Sequence, residues 1–348
     1  MPRERKQSSR VESYDIERSP FAQKPTQRDI ASLVGETRDD LRRLVNYKEH
    51  FIVRRQTQAN KKGKVRDLAY PVSRLRRVHE RLKFHFNKIK QPKYLFSPRK
   101  NRGQRDNAAL HLDQHQYLTL DLKQFYPSTT ENMVWSFYRN SLGMYDDVAG
   151  LLTHLCTVDG AVSFGSPFTP VLCTMIHRPM FDEIEAICAE RGLRTSLWVD
   201  DLTISGRFVP GEVLSRIREV VRASGLKSHR IKYRTGNRPV FITGIGVVGS
   251  NLVAPNALHL KTKAAWDDYH QAQTDEEKDS AAKDLLSFLG TLKHIVGPKS
   301  QAGQKASDQM NSLRQERDRR SRLAQAAIRK ERESYLRVDA TETVDLPF

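Results

Sequence analysis

Two adjacent aspartates at the tip of a short apolar hairpin constrain this chain more than any other feature. In Ser196-Leu-Trp-Val-Asp-Asp-Leu-Thr-Ile-Ser205, two apolar runs of strand character flank Asp200 and Asp201. Neighbouring carboxylates at a turn repel each other and cost stability unless positive charge comes between them. An isolated Asp-Asp pair is common, and the chain has others at Asp39-Asp40, Asp146-Asp147 and Asp267-Asp268. The pair at 200–201 differs because a second apolar strand, Tyr117-Leu-Thr-Leu-Asp-Leu-Lys123, delivers a third carboxylate, Asp121, at its end.

Carboxylates converging from the ends of separate strands can hold two Mg²⁺ ions for phosphoryl or nucleotidyl transfer. A polymerase palm is therefore the architecture the pattern predicts. The chain's 348 residues suffice for two or three subdomains. Its formal net charge of +18 predicts a polyanionic partner, since each cation that neutralises a phosphate releases counterions. Cys156, Cys173 and Cys188 show no C-x-x-C spacing and sit among apolar neighbours, so buried, reduced thiols are expected. No apolar run reaches membrane-spanning length and the N-terminus lacks a hydrophobic signal core, which points to the cytoplasm and away from a membrane.

Along the chain, residues 1–28 are polar and charged and read as a flexible basic arm. A helical pattern follows from Asp29 to Tyr47, then a hairpin whose polar loop, Gln56 to Lys64, carries Lys61, Lys62 and Lys64. Leu75, Val78, Leu82, Phe86 and Ile89 recur at helical spacing through a segment studded with Arg74, Arg76, Arg77 and Arg81. One face of that helix packs, and the other is a basic surface suited to RNA. Met144-Tyr-Asp-Asp147 opens a helix-like segment, where acidic residues belong by the helix dipole, and no strand precedes it. Thr169-Pro170 starts a helix that Pro179 divides. Val240 to Val248 reads as a strand with a glycine-marked bend. Thr274-Asp-Glu-Glu277 is a capping box whose helix runs to Gly297-Pro298. Arg314 to Arg337 is a charge-rich helical stretch, read as solvated or RNA-contacting. Tyr126 lies just after Asp121: it either excludes a ribose 2′-hydroxyl or pairs with Phe125 in the core.

Taken together, these segments resemble a reverse transcriptase. Leu120-Asp-Leu-Lys-Gln-Phe-Tyr-Pro-Ser128 is similar to the metal-binding A segment, Val162-Ser-Phe-Gly-Ser-Pro-Phe-Thr-Pro-Val-Leu172 to the B segment, and Trp198-Val-Asp-Asp201 to the catalytic C segment. Lys62-Gly-Lys-Val-Arg66 with Pro71 resembles the fingers hairpin, and Lys232 stands where the family places a basic residue near the nucleotide phosphates. The likeness runs in order over roughly residues 45–300. Asn107-Ala-Ala-Leu-His111 matches an Asn-Ala-x-x-His element of bacterial retron reverse transcriptases, and Ile242-Thr-Gly244 resembles their Val-Thr-Gly. On the residues alone, His111 ends a helix and Gly244 marks a bulge.

The resemblance implies an α+β, right-hand polymerase fold: an arm over 1–28, fingers over 29–116, a palm with an antiparallel sheet over 117–248, a helical thumb over 249–300 and a charged extension over 301–348. It implies RNA-directed DNA synthesis on a structured non-coding RNA, primed from a guanosine 2′-hydroxyl, yielding a branched RNA–DNA hybrid (msDNA), often beside an effector protein in antiphage defence. Asp121, Asp200 and Asp201, with the Leu122 carbonyl, would hold two Mg²⁺ ions. Arg66, Lys61, Lys62, Leu122, Tyr126, Phe164, Gly165 and Lys232 would hold the dNTP, while Arg74, Arg76, Arg77, Arg81, Asn107 and His111 would contact RNA. Two departures stand out: Val199 replaces the family's alanine, and Val162-Ser-Phe-Gly165 replaces Leu-Pro-Gln-Gly. The competing expectations are an abortive-infection-type enzyme that polymerises without a template, and an RNA-binding scaffold with decayed activity.

Overall fold

In the computed structural model, the described residues are 13–58, 63, 65, 67–236 and 238–339. They fall into two compact units, one up to residue 237 and one from 238 onward. The division precedes Val240–Val248, so that strand segment sits in the second unit and not in the expected palm.

In the first unit, Tyr14 bridges to Ile89, and the buried Phe21 ring lies 4.4 Å from that of Phe86. Residues 13–28, expected as the end of a flexible arm, are thereby packed down by two aromatic anchors. The single helix expected over 29–47 is two, α1 (Gln27–Val34) and α2 (Arg38–Asn46). Gly35 takes the left-handed conformation at φ 73° and Thr37 caps the next helix, so backbone chemistry breaks the run.

Strands β1 (Ile52–Gln56) and β2 (Asp67–Pro71) pair antiparallel, Ile52 opposite Pro71 and Gln56 opposite Asp67. Helix α3 (Ser73–Phe86) buries Leu75, Val78, Leu82 and Phe86 in the main core. Then come β3 (Leu95–Ser97), α4 (Gln104–Ala109), β4 (Gln116–Leu122), the short α5 (Phe125–Ser128), α6 (Glu131–Ser136) and α7 (Asp146–Cys156). Asp146 and Asp147 occupy the first turn of α7, as their helical surroundings predict. The helix expected after residue 169 is divided into α8 (Thr169–Ile176) and α9 (Arg178–Ala189), at the proline-bearing start of the second.

Strands β5 (Arg194–Trp198) and β6 (Asp201–Gly206), helix α10 (Gly211–Ala223) and β7 (Ser228–Thr235) complete the unit. Its sheet has the order β3-β5-β6-β4-β7, antiparallel throughout except for the parallel β3–β5 pair. On β4, Leu118, Leu120 and Leu122 point into the core and alternate with Thr119 and Asp121 on the other face. The class is α+β. All three cysteines are free and buried.

In the second unit, Val240–Val248 folds as a hairpin, β8 (Val240–Ile242) and β9 (Ile245–Val248), joined by Thr243 and Gly244 at φ 47° and 86°. Two successive positive φ values mark a type I′ turn, so Gly244 makes a turn where a bulge was expected. β10 (Asn251–Val253) adds a third strand. Helices α11 (Asn256–Gln271), α12 (Asp275–Val296) and α13 (Gln301–Asp339) follow, and the Thr274 capping box opens α12 as expected. Ala306 and Leu313 of α13 are buried with Leu285 and Leu289 of α12. The expected boundary at 300 therefore cuts through a packed helical core. No helix among the described residues is long and apolar enough to cross a membrane.

Candidate active site

The site forms where three strands end. β5 and β6 pair up to Trp198 opposite Asp201, leaving Val199 and Asp200 as a two-residue turn. Val199 has φ 61°, an uncommon conformation for a β-branched residue. Its side chain packs against the main core and its amide donates to the Ser97 carbonyl at 2.9 Å, which hold the strained turn in place.

β4 and β6 put Asp121 directly opposite Asp201. Opposed residues of an antiparallel pair share a face, so the two carboxylates are neighbours across the sheet. The Leu122 amide donates to the Asp200 carbonyl at 3.0 Å, which ties the end of β4 to the aspartate turn. Partial burial and the adjacent Asp121 raise the Asp201 carboxyl above the ordinary carboxylate range, and Arg230 opposes that rise.

Arg230 was not anticipated from the sequence. On β7, Thr119 faces Lys232 and Asp121 faces His229, so β7 carries one residue more than β4 over the same stretch. This is a β-bulge, with Arg230 at φ 50°. Its guanidinium lies 3.3 Å from Asp121 Oδ2. The available signal was a basic strand sequence, Lys227-Ser-His-Arg-Ile-Lys232, but a bulge of one residue has no sequence mark there. Lys232, opposite Thr119, shares the Asp121 face of the sheet.

After β4 the chain turns sharply at Gln124 (φ 51°) into α5, which carries Tyr126. Burial, then Cys173 and Asp200, push the Tyr126 phenol well above its usual value, so it stays neutral beside the aspartate turn. The Tyr126 ring meets Phe164 edge to face, with centroids 5.1 Å apart, and also contacts Phe125 at 5.7 Å.

The loop carrying Phe164 is fixed from several sides. Ser163 donates its hydroxyl to the Ala69 carbonyl on β2, and Thr169 donates to the Ser163 carbonyl at 2.9 Å. Gly165 has φ 97°, and a Cβ there would come within 2.7 Å of Tyr70 Cβ, so the close passage of loop and hairpin requires glycine. His79 of α3 bonds Ser166 Oγ at 2.6 Å and the Leu155 carbonyl at 2.9 Å. Between hairpin and loop lies an open cavity of about 730 Å³, lined among others by Arg54, Arg55, Asp67, Pro127, Asp159 and Phe164.

No protein-family model matches the chain. Over 123 residues, 35% of this chain and 38% of the relative, it is 29% identical to the retron Ec86 reverse transcriptase of Escherichia coli. Over 177 residues, 51% of this chain and 47% of the relative, it is 26% identical to the retron Se72 reverse transcriptase of Salmonella heidelberg (strain 579083-10). The chain is similar to retron reverse transcriptases. Its matches span about half or less of those relatives' length. Among solved structures, a telomerase from Candida albicans in complex with a TWJ fragment of telomeric RNA aligns at TM-score 0.43 and 8% identity, covering 76% of this chain and 56% of that one.

Several residues expected from the retron resemblance lie elsewhere than at a surface. Asn107 and His111, expected to contact RNA, are 1% and 0% exposed. His111 bonds Ser205 Oγ at 2.6 Å and Ser196 Oγ at 2.8 Å, pinning the chain after α4 to the β5–β6 hairpin that bears the aspartates. His111 therefore supports the hairpin, and Asn107 is buried beside it in sequence on α4, so neither side chain lies at the surface. Arg74 is held by Glu36 at 2.5 Å and Asp40 at 2.7 Å, and Arg76 by Glu80 at 3.0 Å. Arg77 and Arg81 remain exposed on α3. Lys61, Lys62 and Arg66 lie outside the described residues, on the connection between β1 and β2.

Among the described residues no three His, Cys, Asp or Glu side chains are gathered closely enough to hold a metal ion by themselves. Mg²⁺ keeps several waters and is generally held by one or two carboxylates plus substrate phosphates. Opposed Asp121 and Asp201, with Asp200 in the adjoining turn, offer the hard oxygen donors that this mode of binding requires. The donor set fits the ion.

Proposed function

We propose that the chain is an RNA-directed DNA polymerase of the retron type, built on a right-hand fold. The observation that carries this reading is the cross-strand pairing of Asp121 with Asp201 beside the Asp200 turn. The similarity to retron reverse transcriptases supports the choice of nucleic acid.

In this reading Asp121, Asp200 and Asp201 hold two Mg²⁺ ions, with the Leu122 carbonyl as an additional donor. The metals, when bound, lower the pKa of the primer hydroxyl and stabilise charge on the triphosphate. Tyr126 lies beneath the incoming sugar and excludes a 2′-hydroxyl, with Phe164 behind its ring. Gly165 lets hairpin and loop close on the nucleotide. Arg66, Lys61 and Lys62 neutralise the β- and γ-phosphates, since guanidinium and ammonium groups match phosphate oxygens. Lys232 offsets charge on the departing pyrophosphate.

The template is a structured non-coding RNA beside which the cDNA grows as a branched RNA–DNA hybrid, with an effector protein and antiphage defence as the wider setting. Arg77 and Arg81 on α3 and the charged surface of α13 are the RNA contacts of this proposal. Three buried, unpaired cysteines support a reducing cytoplasmic location. Sequencing nucleic acid that co-purifies with the protein tests the class. A branched RNA–DNA molecule is expected; RNA alone, with no DNA attached, would favour the scaffold reading.

A further inference from the structure

Arg230 is a cation that the structure places on Asp121, one of the carboxylates of the proposed metal site. Three features set it apart from an incidental surface pair. It occurs at a bulge in the strand beside Asp121, its backbone is held at φ 50°, and its partner carboxylate is only 17% exposed. A positive φ at a non-glycine residue costs stability and persists where the surroundings over-determine it. Without the bulge, regular pairing would set residue 230 itself opposite Asp121. With it, His229 takes that place, and Arg230 reaches Asp121 through its long side chain, 61% of which is exposed.

We propose that Arg230 is a displaceable counter-ion: it neutralises Asp121 in the free protein and gives way when a divalent cation and a nucleoside triphosphate arrive, transferring to the phosphates. This rests on the metal-site reading above. Asp121 and Asp201, opposed across the sheet, need positive charge in the absence of metal, and Arg230 supplies it. The guanidinium and the cation compete for one carboxylate, so Arg230 weakens metal binding to the free protein. Once displaced, it stands on a strand that also carries Lys232 on the Asp121 face, and a planar guanidinium suits phosphate oxygens. The pairing is reversible because the arginine side of the pair is mostly in water, where an ion pair is weak.

Direct binding separates this from a structural role. Mn²⁺ titrations of the full chain, followed by the electron paramagnetic resonance signal of free Mn²⁺, would be made without nucleotide on wild type, Arg230→Gln, Arg230→Lys and Asp121→Asn. Arg230→Gln is expected to bind Mn²⁺ about two- to fivefold more tightly than wild type, the range set by a largely exposed pair. The gain should shrink at high salt, which screens such a pair. Arg230→Lys, which keeps the charge, should stay near wild type. In a dNTP-binding titration, Arg230→Gln should bind more weakly than wild type. Mn²⁺ affinity equal to or below wild type in Arg230→Gln, with Asp121→Asn clearly weaker, would overturn the counter-ion proposal and leave the metal site standing. Unchanged Mn²⁺ binding in Asp121→Asn would overturn the metal-site reading beneath it. A thermal melt of each variant identifies any change that comes from unfolding.

Discussion

At the scale of single residues, the three carboxylates were legible because strand patterning and acidic residues coincide in the sequence. Their immediate surroundings were less so. Arg230 reaches Asp121 through a bulge, and Phe164 meets Tyr126 through a loop fixed by contacts distant in sequence. Tyr126 packs against Phe125 and Phe164 and lies beside the Asp200 turn, so its packing leaves the sugar-excluding role to be measured. Replacing Tyr126 with alanine should raise ribonucleotide use relative to deoxynucleotide use by about tenfold or more, as for loss of a steric contact at a specificity pocket. Phe164→Gln should raise it less, by about two- to tenfold, since an edge-to-face contact contributes roughly 0.5–1.5 kcal/mol. Competition of labelled rNTP and dNTP in single-nucleotide incorporation measures both. An unchanged ratio in Tyr126→Ala would return that ring to a packing role alone.

At the scale of elements, hydrophobic periodicity located most helices, while turns and polar supports decided their boundaries. Gly35 and Thr37 break one expected helix into two, and Thr243-Gly244 turn one expected strand into a hairpin. The retron-like Asn-Ala-x-x-His element was visible as a motif, but its role was not, because burial of His111 depends on serines eighty-five and ninety-four residues away. Three buried imidazoles hold elements together, and each is poorly basic. Burial lowers His111 to about 3, and His79 and His177 to about 4, from the usual 6.5. Below 6.5 the unfolded chain takes up protons that the folded chain refuses, so stability is intact above that pH and falls as pH drops toward 4. The loss should reach up to about 3 kcal/mol per imidazole. Urea midpoints should decline from pH 6.5 to pH 4, and His111→Gln should flatten that slope even if it is less stable at neutral pH. Equal midpoints across the range would contradict the neutral, buried assignment.

At the scale of the whole molecule, net charge pointed to a polyanionic partner, but it did not show where a packed core ends and a charged surface begins. The alternating charges of Arg314 to Arg337 read as a solvated or RNA-contacting helix, and just ahead of that stretch α13 buries Ala306 and Leu313. Arg320, with its side chain only 13% exposed, pairs with Asp279 at 2.5 Å and approaches Asp275 at 3.8 Å. A chain ending at Pro298 would therefore uncover apolar surface of α12. Ending it after Arg322 keeps these contacts and removes Arg329, Lys330 and Arg332. That shortened chain should bind its cognate structured RNA more weakly, with a reduced salt dependence, because fewer counterions are released. Its extension of a generic annealed primer should be unaffected. Full RNA affinity in the shortened protein would assign the distal helix to solvent. The central claim concerns the three strand-end carboxylates, and one assay addresses it: incorporation of labelled dNTP on an RNA template by wild type and by Asp200→Asn with Asp201→Asn. Wild type should extend the primer and the double variant should not, while both bind the RNA equally. Incorporation by the double variant at the wild-type rate would contradict the account.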